Sequence, residues 1–206
     1  MPVISFESSQ PLKIVVLASG AGTLLQSILD NQGLYHVVGV VCDITCPALS
    51  RSEKAGIPSS IVPLGMNRDQ WNADLAVTIA QYEPDLIVSA GFMKILGAPF
   101  LDHYAGRTIN THPALLPAFP GAHAVRDALD YGVKITGSTV HFIDEGVDTG
   151  EIIAQEPVAV LSGDSEAELH ERIKDVERRL IVDVLNSFAR KFREDQHTER
   201  FSSIHE

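Results

Sequence analysis

Asn110 and His112, in the run Ile109-Asn110-Thr111-His112-Pro113, stand two residues apart. On an extended strand that spacing points both side chains to one side of the sheet. Asn110 offers a neutral amide donor, and His112 can hold or release a proton near neutral pH. An amide and an imidazole side by side suit a tetrahedral oxyanion, whose developing charge needs donors aimed at it. A histidine at a strand end is also commonly structural, so the pair alone leaves both readings open.

A second candidate is Ser19-Gly20-Ala21-Gly22-Thr23, between an apolar strand-like run and a helix-like one. The free N–H groups and dipole of a helix start bind phosphate, but glycine also builds tight β-to-α turns without any ligand. A dinucleotide fingerprint needs Gly or Ala at position 25, where this chain has Leu25, although Asp43 stands where a ribose-binding acid would. The Gly-Lys-Ser/Thr of a Walker loop does not follow. The third candidate, Asp144-Glu145-Gly146-Val147-Asp148-Thr149-Gly150, reads first as turn chemistry and lacks the ligand spacing of a calcium loop. Cys42 and Cys46 form one close pair with no second pair to complete a zinc site, so no metal is expected.

The elements that must position these residues follow from periodicity. Lys13–Ala18, Val37–Cys42, Ser60–Val62, Leu86–Ala90 and Thr108–Thr111 read as buried parallel strands. Between them, Thr23–Asp30 reads as a helix ending near Gly33, and Asn67 can cap a helix carrying Trp71, Leu75 and Ile79. The β-then-α order predicts an α/β fold with a doubly wound, mostly parallel, Rossmann-like sheet whose ligands bind beyond the carboxyl ends of the strands. After Gly121 the pattern changes to a helix at Ala122–Tyr131 and an antiparallel extension, Ile135–Phe142 and Glu151–Val160, joined by the 143–150 loop. A Ser165–Glu168 capping box opens a long C-terminal helix with an apolar stripe of Leu169, Ile173, Val176, Leu180, Val184 and Phe188.

The 206 residues, 45% hydrophobic and 21% charged, fit one globular domain over 1–206, with a core at 12–190 and flexible ends at 1–11 and 191–206. The net charge of −11 opposes nucleic acid as a partner. A small anion can still be held locally, because distant charge is screened beyond about 8 Å. Met1–Gln10 does not read as a signal peptide, and no stretch reaches the ~18 apolar residues of a membrane span. A cytoplasmic protein is expected.

Four ordered motifs, Ser19-Gly20-Ala21-Gly22-Thr23, Ala90-Gly91-Phe92-Met93, Asn110-x-His112-Pro113-x-Leu115-Leu116-Pro117 and Asp148-x-Gly150, together resemble the phosphoribosylglycinamide formyltransferases over Lys13–Phe188. The resemblance implies formyl transfer from 10-formyltetrahydrofolate, a co-substrate, to the amine of 5′-phosphoribosylglycinamide in purine synthesis. It implies a catalytic group of Asn110, His112 and Asp148, with Asp148 keeping His112 charged. The acceptor is then held by Gly22, Thr23, Leu24, Lys174 and Glu177. The folate is held near Arg68, Met93, Lys94, Ile95, Leu96, Asn110, Asp144, Glu145, Gly146, Val147 and Asp148. Relatives often carry Asn at position 24 and Arg at 94; here Leu24 has only its backbone to offer, and the contact at Lys94 is expected to be mostly backbone.

The Asn-x-His-Pro segment alone would mark only the wider folate formyl-handling superfamily. By the same resemblance, its hydrolase would add an N-terminal regulatory domain and its tRNA-modifying enzyme a C-terminal one, neither of which this length accommodates. A non-catalytic phosphate- or folate-binding module would leave Asn110, His112 and Asp148 without a purpose. The family resemblance also allows a monomer or a homodimer.

Overall fold

The computed structural model describes residues 10–202. Residues 1–9 and 203–206, part of the ends expected to be flexible, lie outside the described residues. Five parallel strands come first: β1 (Leu12–Ala18), β2 (Tyr35–Cys42), β3 (Ser59–Ile61), β4 (Leu86–Ser89) and β5 (Thr108–His112). Two antiparallel strands follow, β6 (Ile135–Phe142) and β7 (Ile152–Ala159), giving the order β3-β2-β1-β4-β5-β6-β7.

The chain winds outward from β1 to β3, then crosses back to β4 beside β1. That reversal opens a crevice between the carboxyl ends of β1 and β4, the usual ligand position in such sheets. There the Ser19 amide donates to the Gly91 carbonyl at 3.2 Å, tying the two exit loops together.

Strand alternation divides the core. Ile14, Val16 and Ala18 of β1 face a layer containing Leu25 and Ile28 of α1 (Thr23–Asp30) and Ile181 and Leu185 of α6 (Glu166–Ser202). Val15 and Leu17 face the opposite layer, with Leu75 and Ile79 of α3 (Arg68–Ala80) and Phe100 of α4 (Ala98–Tyr104). In β2 the register skips one residue, from Ile14↔Val37 to Val15↔Gly39, so Val37 and Val40 face the same layer. Gly39 is required at that irregularity, since a Cβ there would sit 2.6 Å from the Tyr82 ring.

Two helices were not singled out from the sequence, α4 and α2 (Pro47–Lys54). Both are short, of seven and eight residues respectively, and each has Pro in its first turn. The helix expected at Ala122–Tyr131 is α5, Ala124–Tyr131. The capping box forms at the start of α6, with Ser165 N donating to Glu168 Oε2 at 2.9 Å and Glu168 N to Ser165 Oγ at 3.3 Å. Helix α6 packs Leu169 and Ile173 against Val125 and Val158, and its later turns onto the α1 side of the sheet. It runs past residue 190, where the sequence placed the end of the core, to Ser202. No described helix is long and apolar enough to cross a membrane.

Candidate active site

Thr111 divides Asn110 from His112 and faces the other way, so the alternation of β5 splits the site in two. On one side, His112 is 4% exposed, with Nδ1 3.3 Å from Asp148 Oδ2 and Nε2 2.8 Å from the Phe119 carbonyl. Both partners are acceptors, and only the imidazolium donates from both ring nitrogens.

The loops that bring those partners are held from beneath. The Thr139 hydroxyl donates to the Ala114 carbonyl at 2.6 Å and accepts the Leu116 amide at 3.1 Å, while Gln155 Nε2 donates to the Leu116 carbonyl at 2.8 Å. These bonds fix the segment leading to Phe119 and Gly121. The Gly121 amide then donates to Asp148 Oδ2 at 2.7 Å, joining that segment to the acidic loop. Asp148 adopts a left-handed φ of 56°, which Asp tolerates better than most residues. In the same loop Asp144 Oδ1 accepts from Gly146 N at 3.1 Å and Thr149 Oγ1 at 2.7 Å, so that carboxylate works inside the turn. Glu145 and Val147 are exposed beside it.

His141 completes the cluster. Antiparallel register sets it directly opposite Asn110, and its Nε2 lies 3.3 Å from Asn110 Nδ2 and 3.6 Å from Asp148 Oδ1. Burial pushes its pKa below the ordinary histidine value, and the neighbouring His112 acts the same way, against the Phe142 carbonyl and Asp148. In the neutral ring, Nδ1–H donates to the Phe142 carbonyl 2.8 Å away, leaving Nε2 to accept from Asn110. This orients the Asn110 amide.

On the other side of β5, the Glu177 carboxylate of α6 accepts from the Thr111 hydroxyl. Burial raises its pKa, opposed by that hydrogen bond and by Lys174 and Arg178. Lys174 is one turn away, paired with Glu171 at 2.8 Å. Helix α1, on the same side of the sheet, starts at Gly22, whose φ of 68° suits glycine. A Cβ at Gly22 would stand 2.9 Å from Ala48 of α2. The helix has no side-chain cap, so the amides of its first turn, from Thr23 and Leu24 onward, keep their donors. The Leu24 side chain is buried, and its backbone is what it presents. Arg51 of α2 donates through Nε to the Ala21 carbonyl at 2.8 Å, bringing a cation to this loop.

In the segment after β4, Met93 is 75% and Ile95 54% exposed, whereas Leu96 is buried. The folate contact expected of Lys94 is mostly through its backbone, and its side chain is engaged within the protein. Its ammonium pairs at 2.7 Å with the buried carboxylate of Asp43. The pairing closes the dinucleotide reading of Asp43, which has no exposed oxygen to give a ribose. Arg68 is exposed at the first turn of α3, where Asn67 caps the helix by accepting from Gln70 N at 3.0 Å. Cys42 and Cys46 stand with sulfurs 3.6 Å apart, and the described residues contain no group of three or more metal-binding side chains around them.

The formyl transferase family model matches residues 12–185. Phosphoribosylglycinamide formyltransferase of Mycobacterium tuberculosis is 54% identical over 186 residues, 88% of this chain and 86% of that protein. The chain belongs to the phosphoribosylglycinamide formyltransferase family. The Escherichia coli formyltransferase of that name is 38% identical over 86% of this chain and 87% of its own. The crystal structure of glycinamide ribonucleotide transformylase 1 from Symbiobacterium toebii superposes with a TM-score of 0.85 at 39% identity, covering 88% of this chain and 89% of that one.

Within this formyltransferase, reading the sequence missed two polar residues of the site, His141 and Arg51. His141 lies in a strand without a motif of its own, and only the β5–β6 register reveals it as Asn110's neighbour. Arg51 sits in a helix that periodicity did not mark. Its one sequence signal is its position in the last turn of the helix that follows β2, next to the glycine loop in a doubly wound fold.

Proposed function

We propose that the protein transfers the formyl group of 10-formyltetrahydrofolate to the primary amine of 5′-phosphoribosylglycinamide, in the cytoplasm, as a step of de novo purine synthesis. Its partners are these two small molecules and not nucleic acid, and it works as a monomer or homodimer. The observation that carries the reading is the cluster of Asn110, His112, His141 and Asp148 at the carboxyl end of β5, with the uncapped start of α1 at the same carboxyl edge of the sheet.

The acceptor phosphate takes the amides of Gly22, Thr23 and Leu24, with Arg51 adding positive charge. Glu177 and Lys174 receive the rest of the acceptor from the other side of Thr111. The donor lies along Met93, Lys94, Ile95 and Leu96 and under the 144–148 loop, with Arg68 near the far end and Asn110 at the formyl group.

The neutral amine attacks the formyl carbon, a C–N bond forms, and the carbonyl oxygen becomes an oxyanion. The Asn110 amide and the His112 imidazolium stabilise it, and Asp148 keeps the imidazolium charged. The Phe119 carbonyl competes for the His112 Nε2 proton. A charged oxygen wins that competition, because the imidazolium attracts an oxyanion charge to charge, which a neutral carbonyl does not offer. The bond from the formyl carbon to folate nitrogen then breaks as that nitrogen gains the proton lost by the amine. The products are the formylated glycinamide and tetrahydrofolate.

Holding two substrates in contact contributes at most about 7–11 kcal/mol, so binding residues matter alongside the chemical ones. A formyl-transfer assay with each substrate omitted in turn tests the proposal. Turnover should require both, and release of formate from the donor alone at a comparable rate would indicate a hydrolase instead.

A further inference from the structure

Asp43, the first residue after β2, is 1% exposed, and its carboxylate meets the Lys94 ammonium at 2.7 Å. The Ser19 hydroxyl lies beside this carboxylate and favours its charged form. Ser19 Oγ in turn accepts the Met93 amide at 2.9 Å, and the Ser19 amide donates to the Gly91 carbonyl at 3.2 Å. A single buried charge thus joins the exit loops of β1, β2 and β4. Everything it holds in the β4 loop lies within 91–94, immediately before exposed Ile95.

A carboxylate taken out of water needs a reason, since its desolvation cost is met only by good partners. Burial pushes the Asp43 pKa up, yet Lys94 and Ser19 outweigh it and hold the group below the usual carboxylate value. The carboxylate is therefore charged at neutral pH. The pair spans two loops that no strand hydrogen bonds connect, because β1 separates β2 from β4.

We infer that Asp43 is a positioning residue for the formyl-donor site, holding Lys94, and through Ser19 the Met93 backbone, so that residues 93–96 keep the shape that receives the folate. The inference rests on the assignment of 93–96 to the donor. Asp43 itself touches no substrate. Its action is on the fraction of molecules in which this segment is competent to bind.

Steady-state kinetics with each substrate varied in turn test it. Asp43→Asn keeps the size of the side chain and removes its charge, and Lys94, 24% exposed along its side chain, can turn its ammonium to water. If the competent fraction falls to about one tenth, the donor KM rises about tenfold. The acceptor KM and kcat at saturating donor should stay within about twofold of the parent, as for loss of binding competence without loss of chemistry.

The double variant Asp43→Asn/Lys94→Met removes both charges, should recover any lost thermal stability, and should keep the raised donor KM. It also carries the test if the single variant fails to fold. Recovery of both stability and donor KM in the double variant would overturn the inference, reducing Asp43 to a structural role. A donor KM near the parent's in folded Asp43→Asn, alongside a raised one in Ile95→Ala, would overturn it while leaving the donor segment in place. An unchanged donor KM in Ile95→Ala would instead remove the donor segment on which the inference stands.

Discussion

His112 Nδ1 stands 3.3 Å from Asp148 Oδ2, the same oxygen that accepts the Gly121 amide at 2.7 Å. One carboxylate oxygen therefore has two duties, an electrostatic one toward the ring and a structural one toward the loop. Asp148→Asn separates them. Its amide oxygen can keep the Gly121 bond, and Asn tolerates the left-handed φ of 56° as readily as Asp. The melting temperature should stay near the parent's while kcat falls by roughly 10²-fold, the scale of losing one stabilising group at an oxyanion. Unchanged kcat in a folded variant would confine Asp148 to shaping the loop.

Asn110→Ala and His112→Ala should each lower kcat by roughly 10²-fold or more, without unfolding the protein. Both side chains serve one oxyanion, so the double variant should lose less than the product of the single losses. Rapid-quench measurement of the transfer step checks this; a strictly multiplicative loss would mean that the two act in separate steps.

The start of α1 should discriminate for phosphate. By calorimetry, phosphoribosylglycinamide should bind and its dephosphorylated riboside should bind poorly, because the amides and dipole of the helix start act on the anion. Gly22→Ala should weaken acceptor binding and leave the donor KM unaltered. The added Cβ meets Ala48 at 2.9 Å, and a left-handed non-glycine residue costs about 1–2 kcal/mol. Equal affinity for acceptor and riboside would move the phosphate elsewhere.

Glu177→Gln should separate stability from binding. Burial raises the Glu177 pKa, so its contribution to stability is fully present below the ordinary carboxylate value and is lost as pH rises through the folded one. The Gln variant should therefore melt higher than the parent near neutral pH, and its advantage should shrink on acidification. Its acceptor KM should rise. A variant with unchanged acceptor KM would leave Glu177 as a component of the helix face alone.

His141 carries the opposite pH signature. Burial lowers its pKa, so the stability that goes with the neutral ring is present above the ordinary histidine value and lost as pH falls through the folded one. His141→Gln keeps an acceptor for Asn110 but does not titrate. The parent's stability relative to this variant, from urea denaturation, should be greater at about pH 8 than at about pH 5. A difference independent of pH would contradict a buried neutral His141.

Much of the architecture was legible in the sequence, because it rests on local periodicities. Near-continuous apolar runs in 13–18 and 37–42 dictate strands buried on two faces, and the stripe from Leu169 to Phe188 dictates the inward side of α6. The two-residue spacing likewise put Asn110 and His112 on one side of β5 before any neighbour was known. The pairings across elements were decided by tertiary structure. His141 meets Asn110 through the β5–β6 register, Asp148 reaches His112 through a loop pinned by Gly121, and Asp43 reaches Lys94 across the end of β1. Periodicity says which face a side chain occupies but not what stands opposite it. That depends on strand order and register, which in turn depend on how the whole core packs.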